Sequence, residues 1–126
     1  MPRKFLTLLA LAVVALPAHA EGDAVAGKKA FRKCAACHTV ETGNRVGPNL
    51  AGIGGRPVAS VDGFRYSPAM KDFAADGKVW DEALLAQYLA APKTMVKGTS
   101  MAFAGIRKGE EIADLIAYLK DPASAP

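Results

Sequence analysis

Two cysteines and a histidine stand together as Cys34-Ala35-Ala36-Cys37-His38, and they are the residues of this chain best suited to chemistry. A structural disulfide across two intervening residues would close a very small loop and constrain little of the unfolded chain. A thioredoxin-like dithiol needs a preceding strand and a βαβ setting, whereas the flanking sequence reads as helical. A zinc site wants four ligands, and beyond this motif the chain has no further cysteine and only His19, in a segment expected to be removed. None of these readings uses His38. The pattern C-x-x-C-H is that of covalent c-type haem attachment: two thioethers hold the porphyrin through its vinyl carbons and the adjacent imidazole ligates iron. A catalytic or structural dithiol stays open as the alternative.

Haem iron needs a second axial decision, since five-coordinate iron binds small ligands and six-coordinate iron mainly transfers electrons. The candidates are Met70, Met95 and Met101, with lysines as an outside choice. Any one of these methionines taken alone reads better as core filler. Met70 falls in a helical pattern, where packing is the better use. Met95 and Met101 fall in what reads as an irregular stretch between two helices. Met95 comes three residues after Pro92 with no turn chemistry beside it, while Met101 has nine residues of reach and follows Gly98-Thr99-Ser100, a tight-turn sequence. With a methionine closing the site the protein is an electron carrier. With the site open it is a haem enzyme or a small-ligand binder such as a peroxidase or gas sensor, although no distal histidine or arginine pair of peroxidase type is recognisable.

These residues must be positioned by a small domain. The 126 residues, 51% hydrophobic and 22% charged, suit one globular core and leave little room for a second. A net charge of +4 with no basic run longer than two residues argues against a dedicated nucleic-acid binder. Arg3 and Lys4, the apolar run from Phe5 to Leu16, Pro17 and Ala18-His19-Ala20 read as a secretory signal peptide cleaved after Ala20. The run is too short for a bilayer span of about 20 residues and no second one follows, so stable membrane insertion is not expected. The working domain is then residues 21–126, exported to the periplasm.

The elements read as helices separated by turn-rich segments, with no convincing strand. Asp23 is an N-cap for a helix carrying Ala30 and Phe31, and Gly27 four residues before Phe31 suggests close approach by another element. Thr42 to Gly63 holds six glycines and two prolines, a loop long enough to need something to fold against. Ser67-Pro68 opens a short helix through Met70 and Phe73. Asp81 caps a helix through Leu84, Leu85, Tyr88 and Leu89 that Pro92 stops. The last helix starts near Glu110 and Glu111, carries Ile112, Leu115, Ile116 and Leu119 at i, i+3, i+4 and i+7, and closes at Lys120 and Pro122.

In their order along the chain, Gly27-Lys28-Lys29-Ala30-Phe31, the C-x-x-C-H motif, Gly47-Pro48-Asn49-Leu50 through Arg56, Phe64-Arg65-Tyr66-Ser67, Trp80, Tyr88 and Gly98 to Phe103 resemble a class I cytochrome c, similar to bacterial cytochrome c2 and mitochondrial cytochrome c. The resemblance covers Gly27 to Leu119. It implies an all-α fold of several helices and long loops around one covalent haem c with its iron, held by Cys34 and Cys37. It further implies His38 and Met101 as axial ligands, with the Pro48 carbonyl on the second ring nitrogen of His38. Arg56, Tyr66 and Trp80 would donate to a buried propionate, with Tyr88 and Thr99 beside Met101 in the haem pocket. Gly27 and Phe31 would pack on the last helix at Leu115 and Tyr118. Two positions depart from the mitochondrial pattern: Lys97 stands where a proline is common, and Met70 near a common asparagine.

The function implied is that of a soluble, monomeric, single-electron carrier. Its expected partners are redox proteins with acidic docking surfaces, such as a cytochrome bc1-type complex, a terminal oxidase, a dehydrogenase or a photosynthetic reaction centre. Lys28, Lys29, Lys33, Lys93, Lys97 and Lys108 are the candidates to ring an exposed haem edge and steer such encounters, with a merely solvated surface as the alternative for each.

Overall fold

The computed structural model describes Met1 and residues 21–126, so the expected signal peptide lies outside the described residues apart from its first methionine. Among the described residues five α-helices follow in order: α1 (Ala24–Phe31), α2 (Pro68–Ala74), α3 (Glu82–Ala90), α4 (Pro92–Met95) and α5 (Gly109–Lys120), with a final 3-10 turn at Pro122–Ser124. The extended pairing found among the described residues is an isolated antiparallel bridge between Pro57 and Val79.

Helix starts are set by local chemistry. The Asp23 carboxylate accepts the Val25 and Ala26 N–H groups at 2.8 and 3.3 Å. The Ser67 hydroxyl accepts from Met70 N at 3.1 Å with Pro68 in the first turn, and Asp81 accepts from Leu84 N at 2.7 Å. Each cap satisfies backbone donors that have no carbonyl within their own helix and stabilises it by about 1 kcal/mol. Pro92 does more than end α3. It serves as the first residue of α4, where its missing N–H costs nothing, and so draws Met95 into a helical turn. The expectation of an irregular stretch containing both Met95 and Met101 is therefore corrected: Met95 is helical and Met101 is not.

The core is built where α1 crosses α5. A Cβ on Gly27 would lie 1.9 Å from the Asp114 carbonyl oxygen and 2.8 Å from Tyr118 Cβ, so only glycine lets the two backbones approach this closely. One turn on, the Phe31 and Tyr118 rings sit 5.5 Å apart over a fully buried Leu115. Helix α3 adds Leu85, Tyr88 and Leu89 to the same core, and Trp80, Ile53, Val58, Val96 and Ile106 extend it beneath the loops. Truncating a side chain as enclosed as Leu115 costs about 2–5 kcal/mol. Among the described residues no helix is long and apolar enough to cross a membrane.

Candidate haem site

Beyond Phe31 the chain keeps turning. Cys34 N and Ala35 N donate to the Phe31 carbonyl at 2.8 and 3.0 Å, and Cys37 N and His38 N donate to the Cys34 carbonyl at 3.0 and 2.9 Å. This winding places positions 34, 37 and 38 at the i, i+3, i+4 spacing of one helical face. Both thiols are free, Cys34 half-buried and Cys37 exposed. Burial pushes the Cys34 thiol up from its ordinary value, with the Lys33 charge opposing and Cys37 adding to the rise.

His38 is held from the glycine-rich loop. Its Nδ1 lies 2.8 Å from the Pro48 carbonyl oxygen. A carbonyl can only accept, so Nδ1 carries the proton and Nε2 is left with a lone pair for a metal. Gly47 lies against the ring: a Cβ there would come within 2.4 Å of His38 Cε1. The loop is tied back by Gly47 N to the Cys37 carbonyl and Leu50 N to the Thr39 carbonyl, both at 2.8 Å, and by Arg45 Nη1 to the Ala35 carbonyl at 3.1 Å. Asn44 secures its far side, accepting from Asn49 N at 3.0 Å and donating to the Asp62 carbonyl at 3.2 Å.

A second group forms around Met101. The Tyr88 hydroxyl donates to the thioether sulfur at 3.9 Å, and Met101 N donates to Thr99 Oγ1 at 3.2 Å. Burial raises the Tyr88 phenol above its ordinary value, and its hydrogen bond with Thr99 opposes the rise. Trp80 packs 4.9 Å from the Tyr88 ring, and Phe73 lies 6.2 Å beyond it. Met70, Met95 and Met101 are all partly buried and pack against the core.

Arg56 belongs to a third group. Its Nη1 donates to the Ala51 carbonyl at 3.2 Å, yet its Nε is buried with no partner. Burial lowers its basicity, and the nearby Tyr66 opposes that. Tyr66 accepts Val61 N at 3.1 Å, which leaves its own hydroxyl hydrogen to donate. The backbone N–H of Trp80 donates to the Arg56 carbonyl at 2.9 Å, which ties together the segments carrying two of the three expected propionate donors. An orphaned guanidinium N–H beside a spare phenol O–H is the donor set a buried carboxylate requires. Together with the free thiol pair and the bare imidazole nitrogen, the residues fit a covalently held haem.

The sequence reading did not identify the roles of Gly47, Asn44 or Arg45. Gly43-Asn44 was available as a turn signal, but the contacts of Gly47 and Arg45 appear only when the loop closes. Of the six candidate steering lysines, Lys33 is paired with Glu111, and Lys28 donates to the Ala125 carbonyl at 3.3 Å. Lys29, Lys93, Lys97 and Lys108 are exposed.

The family model described as Cytochrome c matches residues 24–122. The chain is 46% identical over 107 residues to cytochrome c2 of Agrobacterium tumefaciens (strain II Chrys), covering 83% of this chain and 96% of that protein. It is 48% identical over 100 residues to cytochrome c-550 of Nitrobacter winogradskyi, covering 78% and 89%. Among solved structures, cytochrome cH from Methylobacterium extorquens superposes with a TM-score of 0.72 at 48% identity, covering 79% of this chain and 98% of that one. The turn that presents two thiols and an imidazole, in a helical fold shared with these proteins, places the chain in the cytochrome c family, as a class I c-type cytochrome that binds one covalent haem c and carries electrons rather than acting as an enzyme.

Proposed function

We propose that the domain is a soluble periplasmic shuttle for single electrons, with His38 and Met101 as the axial ligands, serving respiratory or dehydrogenase partners that dock through acidic surfaces. The observation that carries this reading is the seating of Met101, whose sulfur is fixed by a buried Tyr88 hydroxyl at 3.9 Å and whose backbone is fixed by Thr99. A thioether held this way would be available as the second protein ligand to iron, and an iron with both ligands in place suits transfer of an electron without making or breaking bonds.

When bound, haem c supplies an iron that alternates between ferric and ferrous states. Cys34 and Cys37 would hold the group through thioethers. Pro48 orients the His38 ring and strengthens it as a donor. Met101, as the second ligand with His38, would favour the ferrous state and raise the potential. Trp80 and Tyr88, both buried, keep water from the pocket, while Arg56 Nε would offset a propionate charge and the Tyr66 hydroxyl would donate to it. Lys29, Lys93, Lys97 and Lys108 provide the exposed positive charge for steering.

The test is carbon monoxide binding to the ferrous protein. The wild type is expected to stay closed to the gas, and Met101→Ala to bind it readily. Rapid binding to the wild type would favour an open-site haem protein and overturn the reading.

A further inference from the structure

The start of the described domain is anchored more tightly than a chain terminus needs to be. A Cβ on Gly22 would lie 2.1 Å from the Ala113 carbonyl oxygen, so the backbone at position 22 rests directly on α5. One residue later, Asp23 N donates to the Asp114 carboxylate at 2.7 Å. Adjacent Cα atoms are 3.8 Å apart, so these two contacts keep Glu21 within one residue of the surface of α5.

That nitrogen belongs to a residue lining a cavity of about 260 Å³ between the domain's start, α3 and α5. Glu21, Gly22, Glu82, Ala113, Lys120 and Ser124 are among its walls. Lys120 Nζ and the Glu82 carboxylate meet there at 2.6 Å. Glu82 above all, with Glu21 adding to it, holds Lys120 protonated above its ordinary value. The charges at this junction are unequal. Glu21, Glu82 and Lys120 line it, Asp23 and Asp114 adjoin the lining residues Gly22 and Ala113, and Lys28 reaches the Ala125 carbonyl beside Ser124. Asp23 is also engaged with the first N–H groups of α1, where its charge offsets the positive end of that helix.

We propose that this cavity is the seat of the mature chain's own α-ammonium, which pairs with Glu82 once the leader is removed before Glu21. The inference rests on the processing step read from the sequence. In that step water cleaves the Ala20–Glu21 peptide bond: hydroxyl goes to the Ala20 carbonyl, hydrogen goes to the Glu21 nitrogen, and the amine takes up one further proton. A neutral amide thereby becomes a cation where carboxylates outnumber cations. The new charge ties the start of α1 to α3 and α5, and α1 leads directly into the haem-binding turn. Processing therefore tightens the domain as well as releasing it.

The test uses the holoprotein exported to a bacterial periplasm. Its mass is measured, and its α-amine is then titrated by NMR in the reduced state after isotopic dimethylation, which leaves the group able to carry its charge. The expected result is a Glu21 start, with the amine titrating roughly half a unit or more above that of an exported Glu21-Gly22-Asp23 peptide labelled identically. Glu82→Gln should remove most of that rise, and so should one alanine inserted between Ala20 and Glu21 that remains on the mature chain, because it moves the ammonium out of the seat. A mass beginning at another residue overturns both the processing reading and the seat. A Glu21 start with an amine that titrates like the peptide, or that Glu82→Gln leaves unmoved, overturns the seat alone.

Discussion

His38 and Met101 are secured in different ways. His38 sits four residues after Cys34 and one after Cys37, inside a turn closed by backbone hydrogen bonds, and its ring is oriented by a carbonyl only ten residues on. Met101 lies in coil, with its N–H on Thr99 and its sulfur on a tyrosine from another helix. Local backbone geometry thus presents the first proposed ligand, whereas the second depends on α3, Trp80 and the loop between α4 and α5 all being in place. The imidazole side should resist perturbation except by direct steric intrusion. The thioether side should respond to side-chain chemistry at a distance.

The largest effect is expected where the imidazole side is most tightly built. Gly47→Val pushes a branched side chain into His38, already within 2.4 Å of an ideal Cβ, and should destabilise the holoprotein by about 3 kcal/mol or more in denaturant melts. Retained stability with unchanged histidine ligation would show that this side is softer than described.

A smaller effect should appear at Tyr88→Phe, which removes the hydroxyl that touches Met101. A loss of about 1 kcal/mol is expected, with methionine ligation kept but the potential displaced. The sign of its pH dependence follows from the raised phenol. Above the unfolded tyrosine value of about 10, the unfolded chain loses a proton that the folded one keeps, so this contribution to stability falls as pH rises. The alkaline decline should therefore be shallower in Tyr88→Phe than in the wild type. Identical alkaline slopes would contradict the assignment of burial at this phenol.

The smallest effect is expected at Pro48→Ala. The contact to His38 uses the backbone carbonyl, which alanine also has, so the change should cost no more than about 1 kcal/mol through greater freedom of the unfolded chain. Histidine resonances in the reduced protein should keep their positions. Loss of the Nδ1 proton signal would mean that the proline ring itself, and not its carbonyl, holds the imidazole.

The parts of this arrangement that could be read from sequence are the local ones. Asp23, Ser67 and Asp81 cap their helices with donors two or three residues away, and a cap needs nothing further along the chain. Gly27 announced a close approach because glycine is costly within a helix, but the Asp114 carbonyl it meets becomes visible only once α1 and α5 cross. Met95 was misplaced because a proline that ends one helix can also begin the next. Gly47 and Arg45 gave no sign of their roles, since their partners lie 9 and 10 residues back along the chain and meet them only through loop closure. The pairing of Lys33 with Glu111 spans 78 residues and depends wholly on the α1–α5 crossing.

The central claim is that Met101, and not Met95, reaches the iron. The most direct measurement is the weak near-infrared sulfur-to-iron charge-transfer band of the ferric protein, recorded for the wild type, Met101→Ala and Met95→Ala. Both methionines are partly buried against the core, but Met95 is wound into α4, whereas Met101 is in coil with its sulfur on the Tyr88 hydroxyl. The band should be present in the wild type, persist in Met95→Ala and vanish in Met101→Ala. A band that survives the loss of Met101, or disappears with Met95, would contradict the account.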